Sequence, residues 1–372
     1  MSRGDWRRGD ARASSGYHPA PSSANRSGPS VNRRQVQFQA NSAVSQAFLF
    51  AGLVGLVVLM YLRLASVLPV GQVSQQASLA VEPPFLYRFL LSWSLGQVLP
   101  QAWLDTVALR TVVTTVSVAA CLAMFPSFAA RVLRAAPIGF SRARLWTSLA
   151  VVLIAHYGIP RPYCFWYIYD VPAIAFYMLA FMAMTRHEGR VSWWCVPSMA
   201  LLSLNRETVV VAALHAGAWH LCKQFVDHVQ LPWRMRVLMC FRPVAFPLVA
   251  AVGALFLVRL ALVQGMGHGV TSVAALHDGE QLRFVAGFAR MLSKPDHALA
   301  LLLIGAGALV WLPLCWRRLP KTVQVLMLAS LPALTMFLAA GNVVELRMYG
   351  ELVPLFGIAW YSVTREFFQR QI

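Results

Sequence analysis

Apolar residues along this chain come in blocks of about 18–22, set apart by short connections rich in arginine. Within the blocks they do not alternate with polar ones, as the runs 47–60 and 243–262 illustrate, so the short alternating segments of a membrane β-barrel are absent. Each block has the length a helix needs to cross the hydrocarbon core, where the backbone must satisfy its own hydrogen bonds. The pattern predicts an all-α polytopic integral membrane protein with about ten transmembrane helices. The expected spans are 45–65, 104–126, 145–157, 170–184, two short ones within 191–222, then 243–263, 297–315, 322–340 and 345–363.

The transmembrane domain therefore covers 44–364, between a disordered basic tail at 1–43 and a short C-terminal tail at 365–372. The first tail is not a signal peptide, because the apolar segment starts too far in and runs too long. In the connection after the first span, Glu82-Pro83-Pro84 suits a helix start. Arg88, Ser92 and Gly96 then recur every four residues, with Phe89, Leu90 and Trp93 on another face. That spacing predicts one amphipathic helix lying at the membrane interface.

The stretch 191–222 is apolar except for Asn205-Arg206-Glu207-Thr208 at its middle. Loop charges decide how to divide it. With two short helices meeting at the tetrapeptide, nine basic residues from Lys223 onward face the cytoplasm and five face out; a single span inverts that ratio. The positive-inside bias selects two helices, with both chain termini cytoplasmic. In a bacterium the location is the inner membrane.

Composition agrees. Of 372 residues, 58% are apolar and 12% charged, against about a quarter charged in a soluble domain. The net charge of +18 falls on the connections between spans rather than on one soluble face, which argues against nucleic acid as a partner. Six cysteines show no CxxC or Cys/His ligand spacing, so no metal site is expected from them. His215 and His220 read as packed side chains.

With this topology the costly polar residues fall on the extracytoplasmic side. They are Glu82 and Arg88; Arg161 and Asp170; Asn205, Arg206 and Glu207; and Asn342, Glu345, Arg347 and Glu351. An ionisable group at membrane depth is a functional candidate by default. Plainer roles stand beside each: Asp170, before Pro172, suits a helix cap; Arg206 and Glu207 can close a turn; Arg347 and Glu351 can pair across one helix turn; Arg110 can pair with Asp105 or snorkel. Arginine matches phosphate oxygens with its planar fork, and a carboxylate serves as general base or holds a cation. Together they suit a lipid-phosphate-linked substrate. Asp170, Glu82 and Glu207 are the catalytic candidates, and Arg88, Arg161, Asn205, Arg206, Glu345, Arg347 and Glu351 the substrate-binding ones.

A long first outer loop with an acidic residue and an amphipathic helix, followed by a second outer loop with an acidic residue before the fourth span, resembles the GT-C class of polyprenyl-phosphate-sugar-dependent glycosyltransferases. Glu82 matches the acidic position of the first loop and Asp170 that of the second. The first loop has no aspartate before the amphipathic helix, and no large soluble domain follows the last span. The resemblance implies transfer of a sugar from a polyprenyl-phosphate donor on the extracytoplasmic face, with Arg206 and Arg347 at the phosphate; no cofactor is required by the sequence, and a divalent cation (Mg or Mn) on the carboxylates stays open. The rival readings are a secondary transporter or lipid-linked-glycan flippase, and a polysaccharide polymerase or ligase using the arginines without metal.

Overall fold

A computed structural model describes residues 33–65, 72–78, 90–134, 141–157, 166–186, 193–205, 209–227, 232–266, 305–332 and 346–369. Its regular elements among these residues are all helical. They are α1 (Arg33–Leu64), α2 (Val73–Ala77), α3 (Leu90–Val98), α4 (Gln101–Leu104), α5 (Val107–Leu133), α6 (Arg142–Tyr157), α7 (Asp170–Met184), α8 (Cys195–Asn205), α9 (Val209–Asp227), α10 (Trp233–Met266), α11 (Ala308–Cys315), α12 (Lys321–Ala329) and α13 (Val353–Gln369). Two 3-10 turns, Trp316–Arg318 and Leu346–Leu352, precede α12 and α13. Contacts divide the chain into 1–45 and a second unit, 46–372, to which everything below refers.

Two helices among the described residues are long and apolar enough to cross a membrane, Ala43–Leu64 and Val107–Leu133. Only 22% of the first apolar stretch is buried, unlike the core helix of a soluble protein. Apolar side chains also face outward on α10, where Leu238, Phe241, Phe246, Val249, Phe256 and Leu257 are all exposed. By contrast α7 has 15 residues, about 22 Å of helix against a hydrocarbon core of about 30 Å.

Several boundaries differ from those expected. α1 reaches back to Arg33, into the segment read as an unstructured tail. α5 runs on to Leu133, where Arg134 in the left-handed conformation (φ 53°) ends it by donating to Arg131 and Ala130 carbonyls. The final span opens as the 3-10 turn Leu346–Leu352 before α13 begins. The stretch 191–222 is two helices, α8 and α9, with Arg206, Glu207 and Thr208 between them outside the described residues.

Within the amphipathic segment expected at 85–99, the described part, α3, places two residues otherwise than expected. Ser92, read as solvent-facing, is fully buried, while Trp93 and Val98 are exposed. At Gly96 an added Cβ would sit 2.7 Å from the Ala77 Cβ of α2. Small residues let two short helices approach closely, so Ser92 and Gly96 join Leu91 and Leu95 on the packed side of α3 while Ser94, Gln97 and Trp93 face out.

α7 is the centre of the second unit. Nearly all of its side chains are buried, and it packs against α5, α8 and α9 and the turn before α13. Phe128 of α5 meets Tyr177 and Phe181 edge-on at 5.9 and 5.1 Å.

Candidate functional site

The helices of the second unit bring carboxylates and arginines together at one end, where Arg63, Arg110 and Arg347 accompany Asp105, Asp170 and Glu351, and mostly basic groups at the other. At one end the close of α1 meets the close of α6 through Tyr61 and Tyr157, ring centroids 4.9 Å apart. The start of α5 holds the segment before α7, because Trp166 Nε1 donates to Thr114 Oγ1 at 3.1 Å. Asp105, Asp170, Asn205 and Glu351 lie at this end. At the other, Trp219 Nε1 of α9 donates to the Arg131 carbonyl of α5 at 3.0 Å, and His220 Nε2 lies 3.0 Å from the Met184 carbonyl at the close of α7. Arg131, Arg134, Arg142, Arg144, Arg186, Lys223 and Arg365 belong to this second end, with Asp227 at the close of α9.

Asp170 is the first residue of α7, not its cap. The cap position is Tyr169, in a helical conformation with no side-chain capping bond. The Asp170 side chain is fully buried, behind a run in which Trp166, Tyr167, Ile168 and Tyr169 are buried too. Tyr167 and Tyr169 stack at 5.4 Å. The carboxylate at the helix start is favoured by the α7 dipole.

Asn205, the last residue of α8, is brought directly against this segment. Its Nδ2 donates to the Tyr169 carbonyl at 3.0 Å. Its Oδ1 is buried with no hydrogen-bond partner among the described residues, so an acceptor is held ready beside Asp170. Glu351, at the close of the turn before α13, is also buried, and that turn packs against α7.

Of the residues singled out from sequence, Asp170 and Asn205 are thus together, and Glu351 is buried in the turn packed against α7. Glu82, Arg88, Arg161, Arg206, Glu207, Asn342 and Glu345 lie outside the described residues, and of Arg347 only the backbone, in the turn Leu346–Leu352, is described. Arg110 reaches back to Asp105, to its backbone carbonyl, which Nη2 meets as donor at 2.9 Å, and its guanidinium lies 5.7 Å over the Trp166 ring.

Two features were not foreseen. The Asp105 carboxylate accepts from the Val73 amide at 2.7 Å and from the Ser74 hydroxyl, so it closes the start of α2 from 32 residues away and is taken up in holding the loop. Deeper in the bundle, Tyr177, His215 and Ser330 form a buried chain across α7, α9 and the close of α12. The Tyr177 hydroxyl lies 2.6 Å from His215 Nδ1, and His215 Nε2 lies 2.8 Å from Ser330 Oγ. Ser330 donates onward to the Leu326 carbonyl at 3.0 Å, which makes Nε2 the protonated nitrogen and Nδ1 the acceptor of the tyrosine proton.

Among the described residues no three His, Cys, Asp or Glu side chains lie close enough to share a metal ion. No family model, no curated protein and no solved structure matches this chain.

Proposed function

We propose that the protein is a multi-pass membrane glycosyltransferase that moves a sugar from a polyprenyl-phosphate donor to an acceptor at the Asp170 end of its helices, on the extracytoplasmic face. One observation carries the reading: Asn205, from a separate stretch of chain, bonds the Tyr169 carbonyl at 3.0 Å, next in sequence to Asp170, and both polar side chains are fully buried. A buried carboxamide oxygen with no partner among the described residues is costly unless a donor meets it, which supports a ligand group at this place. The outward apolar faces of α1 and α10 support a lipid surrounding. The basic opposite end supports a cytoplasmic orientation for that end.

In this reading Asp170 takes the proton of an acceptor hydroxyl. The acceptor oxygen bonds to the anomeric carbon as the bond from that carbon to the phosphate oxygen breaks. The polyprenyl phosphate leaves with its negative charge held by Arg206 and Arg347. Asn205 Oδ1 accepts from a sugar hydroxyl and fixes the ring. Glu82 and Glu207 are the alternative bases, and Arg88, Arg161, Glu345 and Glu351 complete the binding set.

The test is sugar transfer in proteoliposomes supplied with polyprenyl-phosphate-linked sugars and a hydroxyl acceptor. A covalent product that depends on the protein supports the reading; movement of substrate across the bilayer without covalent change overturns it. The second outcome belongs to a secondary transporter. The Tyr177–His215–Ser330 chain favours that alternative, because interior histidine relays suit proton-coupled carriers.

A further inference from the structure

At the basic end, the first turns of α6 and the last turns of α13 border an open groove of about 390 Å³. Its lining includes Arg144, Arg365, Thr147, Ser148, Thr364 and Trp360. The three hydroxyls already donate to carbonyls of their own helices, Thr147 to Ala143 at 2.9 Å, Ser148 to Arg144 at 2.8 Å and Thr364 to Trp360 at 2.9 Å. Toward the groove they therefore offer only lone pairs. The donors and the positive charge come from the two guanidiniums, which match phosphate oxygens. Trp360 supplies an indole, a ring suited to the level of lipid headgroups. It packs edge-on against Trp311 at 5.5 Å. One residue from the lining, Trp146 meets Phe50 of α1 edge-on at 5.0 Å, on the helix whose Phe48 and Leu49 are exposed.

Cationic forks, acceptor-only hydroxyls and an interfacial indole specify a ligand with a charged phosphodiester and hydroxyl donors of its own. We propose that this groove binds the headgroup of a hydroxyl-bearing anionic glycerophospholipid, of the phosphatidylglycerol type, in the leaflet at the basic end of the helices. Bound there, the headgroup bridges α6 and α13, and α13 follows directly on the turn that carries Glu351. The site rests on the membrane orientation proposed above and not on the sugar chemistry.

The experiment uses the full chain in nanodiscs of phosphatidylcholine with increasing phosphatidylglycerol, and reads lipid retention by native mass spectrometry and quenching of tryptophan by brominated lipid. Replacing both Arg144 and Arg365 by Gln is expected to weaken retention about a hundredfold, about tenfold for each charge-assisted hydrogen bond to the phosphate that is lost. Arg134→Gln, at the same end but outside the groove, is expected to leave it unchanged. Thr147→Val with Thr364→Val keeps shape and charge, and is expected to erase the preference for phosphatidylglycerol over phosphatidylmethanol, which lacks the headgroup hydroxyls. Equal losses in the Arg134 variant would mean a general electrostatic surface and overturn the site. Displacement of the lipid by millimolar inorganic phosphate or glycerol phosphate would overturn the lipid as its source. Retention by the site in discs, together with labelling of this end from outside the cell, would leave the headgroup site standing and remove the orientation alone.

Discussion

The Asn205 carboxamide donates to the Tyr169 carbonyl at 3.0 Å, tying the last residue of α8 to the residue before Asp170. Because both partners are buried, Asn205→Ala is expected to cost about 1–3 kcal/mol, the penalty for leaving the carbonyl without its donor. Melting temperature reads that loss. If Oδ1 also takes a sugar hydroxyl, KM rises by more than kcat falls; unchanged KM confines Asn205 to holding the loop.

Gly96 and Ala77 give a test of the packed side of α3. Gly96→Ala drives a new methyl to within 2.7 Å of the Ala77 Cβ and is expected to destabilise by about 1–3 kcal/mol, as overpacking does. Ala77→Gly in the same chain removes the obstructing atom and is expected to recover most of the loss. An additive double mutant would put the two residues apart.

The orientation is checked at two exposed positions, Gln101 beside the Asp170 end and Ser141 at the start of α6. With Cys164 replaced by Ser, a cysteine at position 101 is expected to react with an impermeant thiol reagent in intact cells, and one at 141 only after the cells are opened. The reverse labelling would place the Asp170 end in the cytoplasm.

What was legible in the sequence was whatever broke the apolar pattern. Asp170 with Pro172 marks the start of α7, and the polar tetrapeptide from Asn205 marks the gap between α8 and α9, because polar groups inside an apolar run are costly unless they end a helix or serve a site. The side of α3 that carries Ser92 was misread for the opposite reason. Ser92 and Gly96 look polar by spacing, yet in an apolar surrounding small residues draw helices together. Asp105 was invisible as the anchor of α2, since nothing in the sequence links it to Val73 and Ser74 across 32 positions. The meeting of Tyr177, His215 and Ser330 depends on three helices, and no local period encodes it.

That chain separates the two functional readings. Tyr177→Phe removes one hydroxyl from a bond to His215 of 2.6 Å. Interhelical hydrogen bonds in membranes contribute about 0.6 kcal/mol on average and about 1.7 at most. For an enzyme in which the chain only ties α7 to α9, stability is expected to fall by that small amount and sugar transfer to stay within a few-fold. For a proton-coupled carrier, the same variant is expected to abolish uptake driven by a pH gradient while leaving exchange intact.

The decisive variant is Asp170→Asn. A carboxylate at the first position of α7 gains from the helix dipole by about 0.3–1 kcal/mol, and Asn keeps its shape, so a purely structural Asp170 predicts a near-normal melting temperature and near-normal activity. A general base predicts a different pair of results: the same melting temperature, but transfer slower by about 10²–10⁴-fold. Donor binding is expected to persist, because the proposed phosphate contacts come from Arg206 and Arg347 rather than from the carboxylate. Glu82→Gln and Glu207→Gln, assayed beside it, separate the three candidate bases, since only the true one combines intact folding, intact donor binding and lost turnover. Full activity in all three variants would remove carboxylate base catalysis from this protein and leave Asn205 and Glu351 as binding groups of a carrier.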